Sequence, residues 1–182
     1  MPTDLSRSAL TILIPGAVAV APWLLALVQY TRATLGFDSY TSLGNLVLFG
    51  AAAVVGTILQ EFGSFVEVRW DREREDALAV HENWYSYLSR ILEHEPVGYR
   101  YLSRLATTLY FELSMMFATP TFLAGATLLA MLRFPGSRMW IVIAGIVTLG
   151  VSVLFFRWQA RETHKTLCET RRELNKRLTN GG

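Results

Sequence analysis

Charged residues make up only 18% of this chain, and where they are missing is more informative than the total. Four stretches, roughly 9–30, 43–66, 106–132 and 139–157, have no Asp, Lys or Arg in their cores. A soluble domain of 182 residues that is 52% hydrophobic, with a mean hydropathy of +0.30, would leave much of that apolar surface in water. Cysteine is nearly absent too. Cys168 stands alone, which excludes an intrachain disulfide and a cysteine cluster for a metal, and suits a reducing compartment around the tail. Catalytic signatures are also lacking: there is no Gly-x-Ser-x-Gly, phosphate-binding loop or dinucleotide fingerprint, and His81, His94 and His164 have no His-x-x-x-His spacing. These absences argue against an enzyme and against a bound cofactor or metal, leaving only the chance neighbours His81-Glu82 and Glu93-His94-Glu95. Internal repeats and linkers are missing as well, so residues 1–182 read as one domain.

What is present is hydrocarbon in blocks of a particular length. About 20 predominantly apolar residues cross a bilayer core of about 30 Å, and each block is long enough. Without water the backbone must satisfy its own hydrogen bonds, which predicts helices; the short alternating strands of a membrane barrel are not visible. The expected fold is all-α, an integral membrane four-helix transmembrane bundle. The first block could be taken for a leader, given the small residues Ala17, Ala19 and Ala21, but its apolar run continues through Trp23, Leu24, Leu25, Leu27 and Val28, so it reads as a retained span.

Charge then gives orientation. Arg69, Arg72, Arg74, Arg90, Arg100 and Arg104 lie between the second and third spans, and Arg157, Arg161, Lys165, Arg171, Arg172, Lys176 and Arg177 follow the fourth, together thirteen of the 17 Lys and Arg residues. The other two loops hold Arg32, and Arg133 with Arg138; Arg7 precedes the first span. The positive-inside rule places segment 68–105, the tail 158–182 and the N-terminus in the cytoplasm, as an even number of spans requires. For a bacterial chain that means a multi-pass inner-membrane protein. Tyr30, Phe37 and Tyr40 flank the first outer loop, while Trp70, Tyr110, Phe155, Phe156 and Trp158 fall near the inner boundary as expected interfacial anchors.

The cytoplasmic parts are expected to be helical. No Gly or Pro interrupts Phe65 to Glu95, so the second span can continue outward, and Leu78, Trp84, Tyr85, Leu88, Ile91 and Leu92 give it an apolar face. Pro96 and Gly98 predict a turn into the third span. Leu167, Leu174 and Leu178 make a stripe along the tail. Residues 67–95 hold eight acids against four arginines and residues 157–177 seven bases against three acids. Opposite charge predicts that these helices pack together, within or between subunits; a basic tail could alternatively hold anionic lipid or nucleic acid.

Inside the spans the candidate residues are Glu61 and Glu112, each about 10 Å from the inner boundary by helical rise. Ionisable groups at that depth usually face a bundle interior, water or a partner. The two acids could face each other, share a proton, meet Arg104 or Arg157, or line a path. Asn45 and Gln60 add amides to the second span beside Gly44, Gly50, Gly56 and Gly63, making it the natural helix to pack closely or to line an axis in an oligomer. Pro15, Pro22 and Pro120 could open kinks. Arg104, Arg157, Arg161, Lys165, Arg171 and Arg172 are the candidates for charge pairing or partner binding.

In layout, and loosely in the stretch Val97-Gly98-Tyr99-Arg100-Tyr101-Leu102 through Phe111-Glu112-Leu113, the chain resembles small four-span bacterial membrane proteins of antiphage defence, the Hailong-type channel effector and the Kiwa membrane component. That resemblance implies a homo-oligomer, such as a tetramer, whose opening depolarises the cell and which a cytoplasmic protein or a nucleotide or nucleic-acid ligand restrains. The expected function is therefore an oligomeric channel or pore-forming effector. The alternatives are a membrane scaffold or sensor recruiting a soluble partner, or a small dimeric proton-coupled exporter using Glu61 and Glu112.

Overall fold

The computed structural model describes residues 9–35, 41–88 and 97–180. Arg7, Phe37, Tyr40, Arg90, Ile91, Leu92, Glu93, His94, Glu95 and Pro96 lie outside the described residues, as do the side chains of Tyr30, Arg32, Asn45, Leu88 and Leu178. The described chain is helical, and four of its helices are long and apolar enough to cross a membrane. Pro15 has no N–H to give to the carbonyl of Thr11, and ahead of it Ala9–Leu13 winds as a single wide π turn. Helix α1 follows (Ile14–Leu35), then α2 (Thr41–Leu78), α3 (Val80–Leu88), α4 (Val97–Arg133), a one-turn 3-10 connection (Pro135–Ser137) and α5 (Arg138–Asn180). At 1.5 Å per residue, α2 and α4 are each about 55 Å long and α5 about 65 Å, well beyond a hydrocarbon core. Each therefore continues from an apolar part into a charged one.

Helix α4 is central, packing against α1, α2 and α5. Helices α1 and α2 cross closely where Gly16 and Gly56 face the partner backbone: a Cβ at Gly16 would overlap the Ala52 carbonyl, and one at Gly56 that of Ile12. Small residues are what permit such an approach between membrane helices. Gly63 also packs, against Leu113, whereas Gly44 and Gly50 meet nothing. The glycines of α2 thus divide between a packed face and an open one.

Two clusters make the core. One joins Ala19, Leu59 and Ala118 in the apolar half. The larger joins Trp70, Leu102, Leu109, Leu113, Ala160 and Leu167, with Leu174 against it, at the charged end. Trp70, expected as an interfacial anchor, is only 4% exposed and belongs to this core, while Trp158 does project outward. The apolar part of α5 shows the reverse: none of its apolar window is buried inside the chain. Burial of apolar area is the main stabilising term in water, so that surface needs lipid or another protein.

The break between α2 and α3 falls at Ala79, which takes a left-handed φ of 46°. Nothing in its neighbours is a helix breaker, so side chains must make the break tolerable. Glu75 accepts the backbone N–H of His81 at 3.1 Å and pairs with its ring at 2.6 Å, and Asn83 donates to the Leu78 carbonyl at 2.7 Å. Groups orphaned at both new helix ends are thereby satisfied. Gly98, expected in a turn, instead lies in the first turn of α4.

Candidate functional site: two glutamates and an interhelical polar network

Helical rise puts Glu61 and Glu112 at one level, and the structure puts them on different faces. Glu112 on α4 is 3% exposed. Gln159 of α5 donates its amide to Glu112 Oε1 at 2.8 Å, and Thr163, one turn along α5, interacts with the same carboxylate. Glu112 Oε2 is buried with no partner of standard hydrogen-bond geometry among the described residues. This acid is therefore a helix-to-helix tie between α4 and α5, and Gln159 is a partner the sequence reading did not single out.

Glu61 is exposed on the outer face of α2. Its neighbours at helical spacing, Gly50, Val54, Thr57, Phe65 and Val68, are exposed as well, and Thr57 turns its hydroxyl back to the Ala53 carbonyl at 2.9 Å. Ile58 and Phe62, on either side, are half exposed at 49% and 50%. Gln60 is half-buried at the flank of this stripe, and the Asn45 side chain lies outside the described part. No ion pair joins Glu61 to Glu112, Arg104 or Arg157 among the described residues.

Beyond the apolar part, the acidic end of α2 meets the basic end of α5 within one chain. His164, 1% exposed, is the centre of that contact. The Arg74 guanidinium donates to His164 Nδ1 and, through its other nitrogen, to the Arg161 carbonyl at 3.1 Å. An arginine can only donate, so Nδ1 is the acceptor and the ring proton sits on Nε2, which donates to Asp71 Oδ1 at 2.8 Å. Trp70 packs edge-on to the ring at 5.7 Å, and Cys168 lies one turn away with Sγ 3.9 Å from Nε2. Around this centre Arg161 reaches Glu73 at 3.4 Å, Arg172 donates to the Ala77 carbonyl, and Arg171 stacks over Trp84 at 4.3 Å. Asn175 donates to Asn83 in α3. Lys165 and Arg104 are exposed. Tyr85, placed on the expected apolar face of α3, is 67% exposed.

Asp71, His164 and Cys168 offer donor atoms within 4.8 Å of one another, a set of the kind a borderline divalent cation takes. The same atoms are already engaged: Asp71 holds the Nε2 proton, and the fixed positive charge of Arg74 beside the ring opposes a second cation. The hydrogen bonds account for the cluster as an α2–α5 lock. Its signal was present in the sequence as His164-x-x-x-Cys168 opposite Asp71-x-x-Arg74, helical spacings that a search for histidine pairs passes over. Comparison of the chain with protein-family models, characterised proteins and solved structures finds no match.

Proposed function

We propose that copies of this chain assemble in a bacterial inner membrane, with both termini and the arginine-rich ends in the cytoplasm, as a homo-oligomeric ion channel. The observation that carries this reading is the exposure of Glu61 on the outer face of an apolar helix. A carboxylate held in lipid at that depth is unfavourable by up to about 3 kcal/mol on insertion scales. Facing either a second subunit or a water-filled path removes that cost. The face Gly50, Val54, Thr57, Glu61, Phe65 and Val68 carries two polar side chains among apolar ones, and Gly50 has open space beside it, so one such helix per subunit suits the lining of an axis. A ring of carboxylates there would favour cations.

The exporter alternative needs Glu61 and Glu112 on one path, and their separate faces remove its support. A restraining cytoplasmic partner, as in the defence proteins the chain resembles, would act through the α3 and α5 surfaces. The test is passive ion flux and membrane potential in vesicles containing purified protein, with native mass spectrometry of the same sample. Cation flux from an oligomer, with selectivity or rate altered in Glu61→Gln while assembly persists, is the expected result. A strictly monomeric protein, or flux indifferent to Glu61→Gln, would sink the proposal.

A further inference from the structure

A trough opens to the side of the bundle between α2, α4 and α5, with a volume of about 620 Å³. Helix α4 forms its floor with Met116, Phe117 and Pro120, and Leu59, Phe62 and Val153 form the apolar walls. The rings of Phe62 and Phe117 stand 5.7 Å apart along it. From Leu59 to Arg69 the helical rise is about 15 Å, half the thickness of a hydrocarbon core. At the end where the apolar part stops, the lining changes to Arg69, Arg157, Arg161 and Glu73.

The charges at this mouth do not cancel. Glu73 is shared between Arg69 at 3.6 Å and Arg161 at 3.4 Å, both exposed pairs that contribute little. Arg157 is exposed and has no ion pair among the described residues. Three guanidinium groups against one carboxylate favour an anion, and guanidinium matches phosphate oxygens in a two-pronged geometry. A free phosphate would leave the apolar trough unfilled, and a lipid without net charge would leave the arginines uncompensated. We infer that the trough binds one anionic glycerophospholipid, its phosphate at Arg157 and Arg161 and an acyl chain along Phe62, Phe117 and Val153. The inference holds for a single chain and does not rest on channel activity.

The test uses purified protein in nanodiscs and native mass spectrometry of retained lipid, with phosphatidylglycerol and phosphatidylcholine as probes. Wild type should retain phosphatidylglycerol about tenfold more strongly, a preference weakened by salt. Arg157→Gln removes an exposed group that has no ion pair among the described residues and should cut the preference about fivefold, the effect of one basic residue near a lipid surface. Val153→Trp fills the trough and should reduce retention of both lipids. Equal retention of the two lipids, a preference untouched by Arg157→Gln, retention untouched by Val153→Trp, or displacement of the lipid by soluble glycerol phosphate at matching concentration would each overturn the inference.

Discussion

Replacing His164 by alanine tests whether the α2–α5 lock holds the charged end of the bundle together. The ring is 1% exposed and makes one hydrogen bond from Arg74 and one to Asp71. Bonds to charged groups contribute roughly 1.5–3 kcal/mol each, and the edge contact with Trp70 about 1 kcal/mol more. Part of that returns, because Asp71 and Arg74 are three residues apart on one helix and can pair directly once the ring is gone. A net loss of about 3 kcal/mol is expected, which for a chain of this size lowers the melting temperature by roughly 10 °C. Thermal unfolding in mild detergent, followed by the near-ultraviolet signal of the tryptophans, measures it. A shift of under about 2 °C would refute the reasoning, since a buried ring bonded on both sides cannot be removed so cheaply. The chelator control refutes it differently: if EDTA lowers the wild-type melting temperature by as much as His164→Ala does, a metal and not the hydrogen-bond network holds Asp71, His164 and Cys168.

Two further predictions concern single residues. Glu112→Gln keeps an acceptor for the Gln159 amide and removes a buried charge, so it should leave melting unchanged or raise it slightly, whereas Glu112→Ala abandons that amide and should cost about 1–3 kcal/mol; a destabilised Gln variant would show that the charge itself is needed. Ala79→Gly relieves a left-handed alanine and should be neutral or stabilising by up to about 1 kcal/mol, while Ala79→Val should lose about 1–2 kcal/mol; identical melting of the two would mean that the backbone at Ala79 does not hold this conformation.

The four long helices were legible because hydrocarbon thickness imposes a minimum apolar length, which runs of this size without Asp, Lys or Arg in their cores announce. The continuation of the second span as far as Leu78 was legible for a complementary reason, the lack of Gly and Pro. Its end was not. Ala79 is the residue type with the highest helix propensity, and the break there depends on Glu75 and Asn83 reaching across it, which no local pattern reports. Trp70 illustrates the same limit: it was expected as an interfacial anchor, and its burial in the core depends on Leu102, Leu109 and Leu167 arriving from other helices. The level of the two glutamates followed from counting residues, while their faces did not, because a helix turns about 100° per residue and only neighbouring helices define inside and outside.

That last difference separates two roles that composition alone would merge. Both acids interrupt helices long and apolar enough to cross a membrane, where insertion would penalise a charge. Glu112 offsets its penalty inside the chain, through Gln159 and Thr163 on α5; exchange for glutamine should leave melting unchanged or slightly raised and selectivity unaltered. Among the described residues Glu61 has no such partner, and the helix that carries it keeps its packed glycines, Gly56 and Gly63, on one side and the open Gly50 on the other. On the channel proposal, what compensates Glu61 comes from a neighbouring subunit or from water. A neighbouring subunit alone would make Glu61 a structural residue whose loss weakens assembly, whereas an aqueous axis makes it a selectivity residue whose loss leaves assembly intact. Glu61→Gln should change selectivity and leave assembly intact if the protein is a channel, with Glu112→Gln as the internal reference.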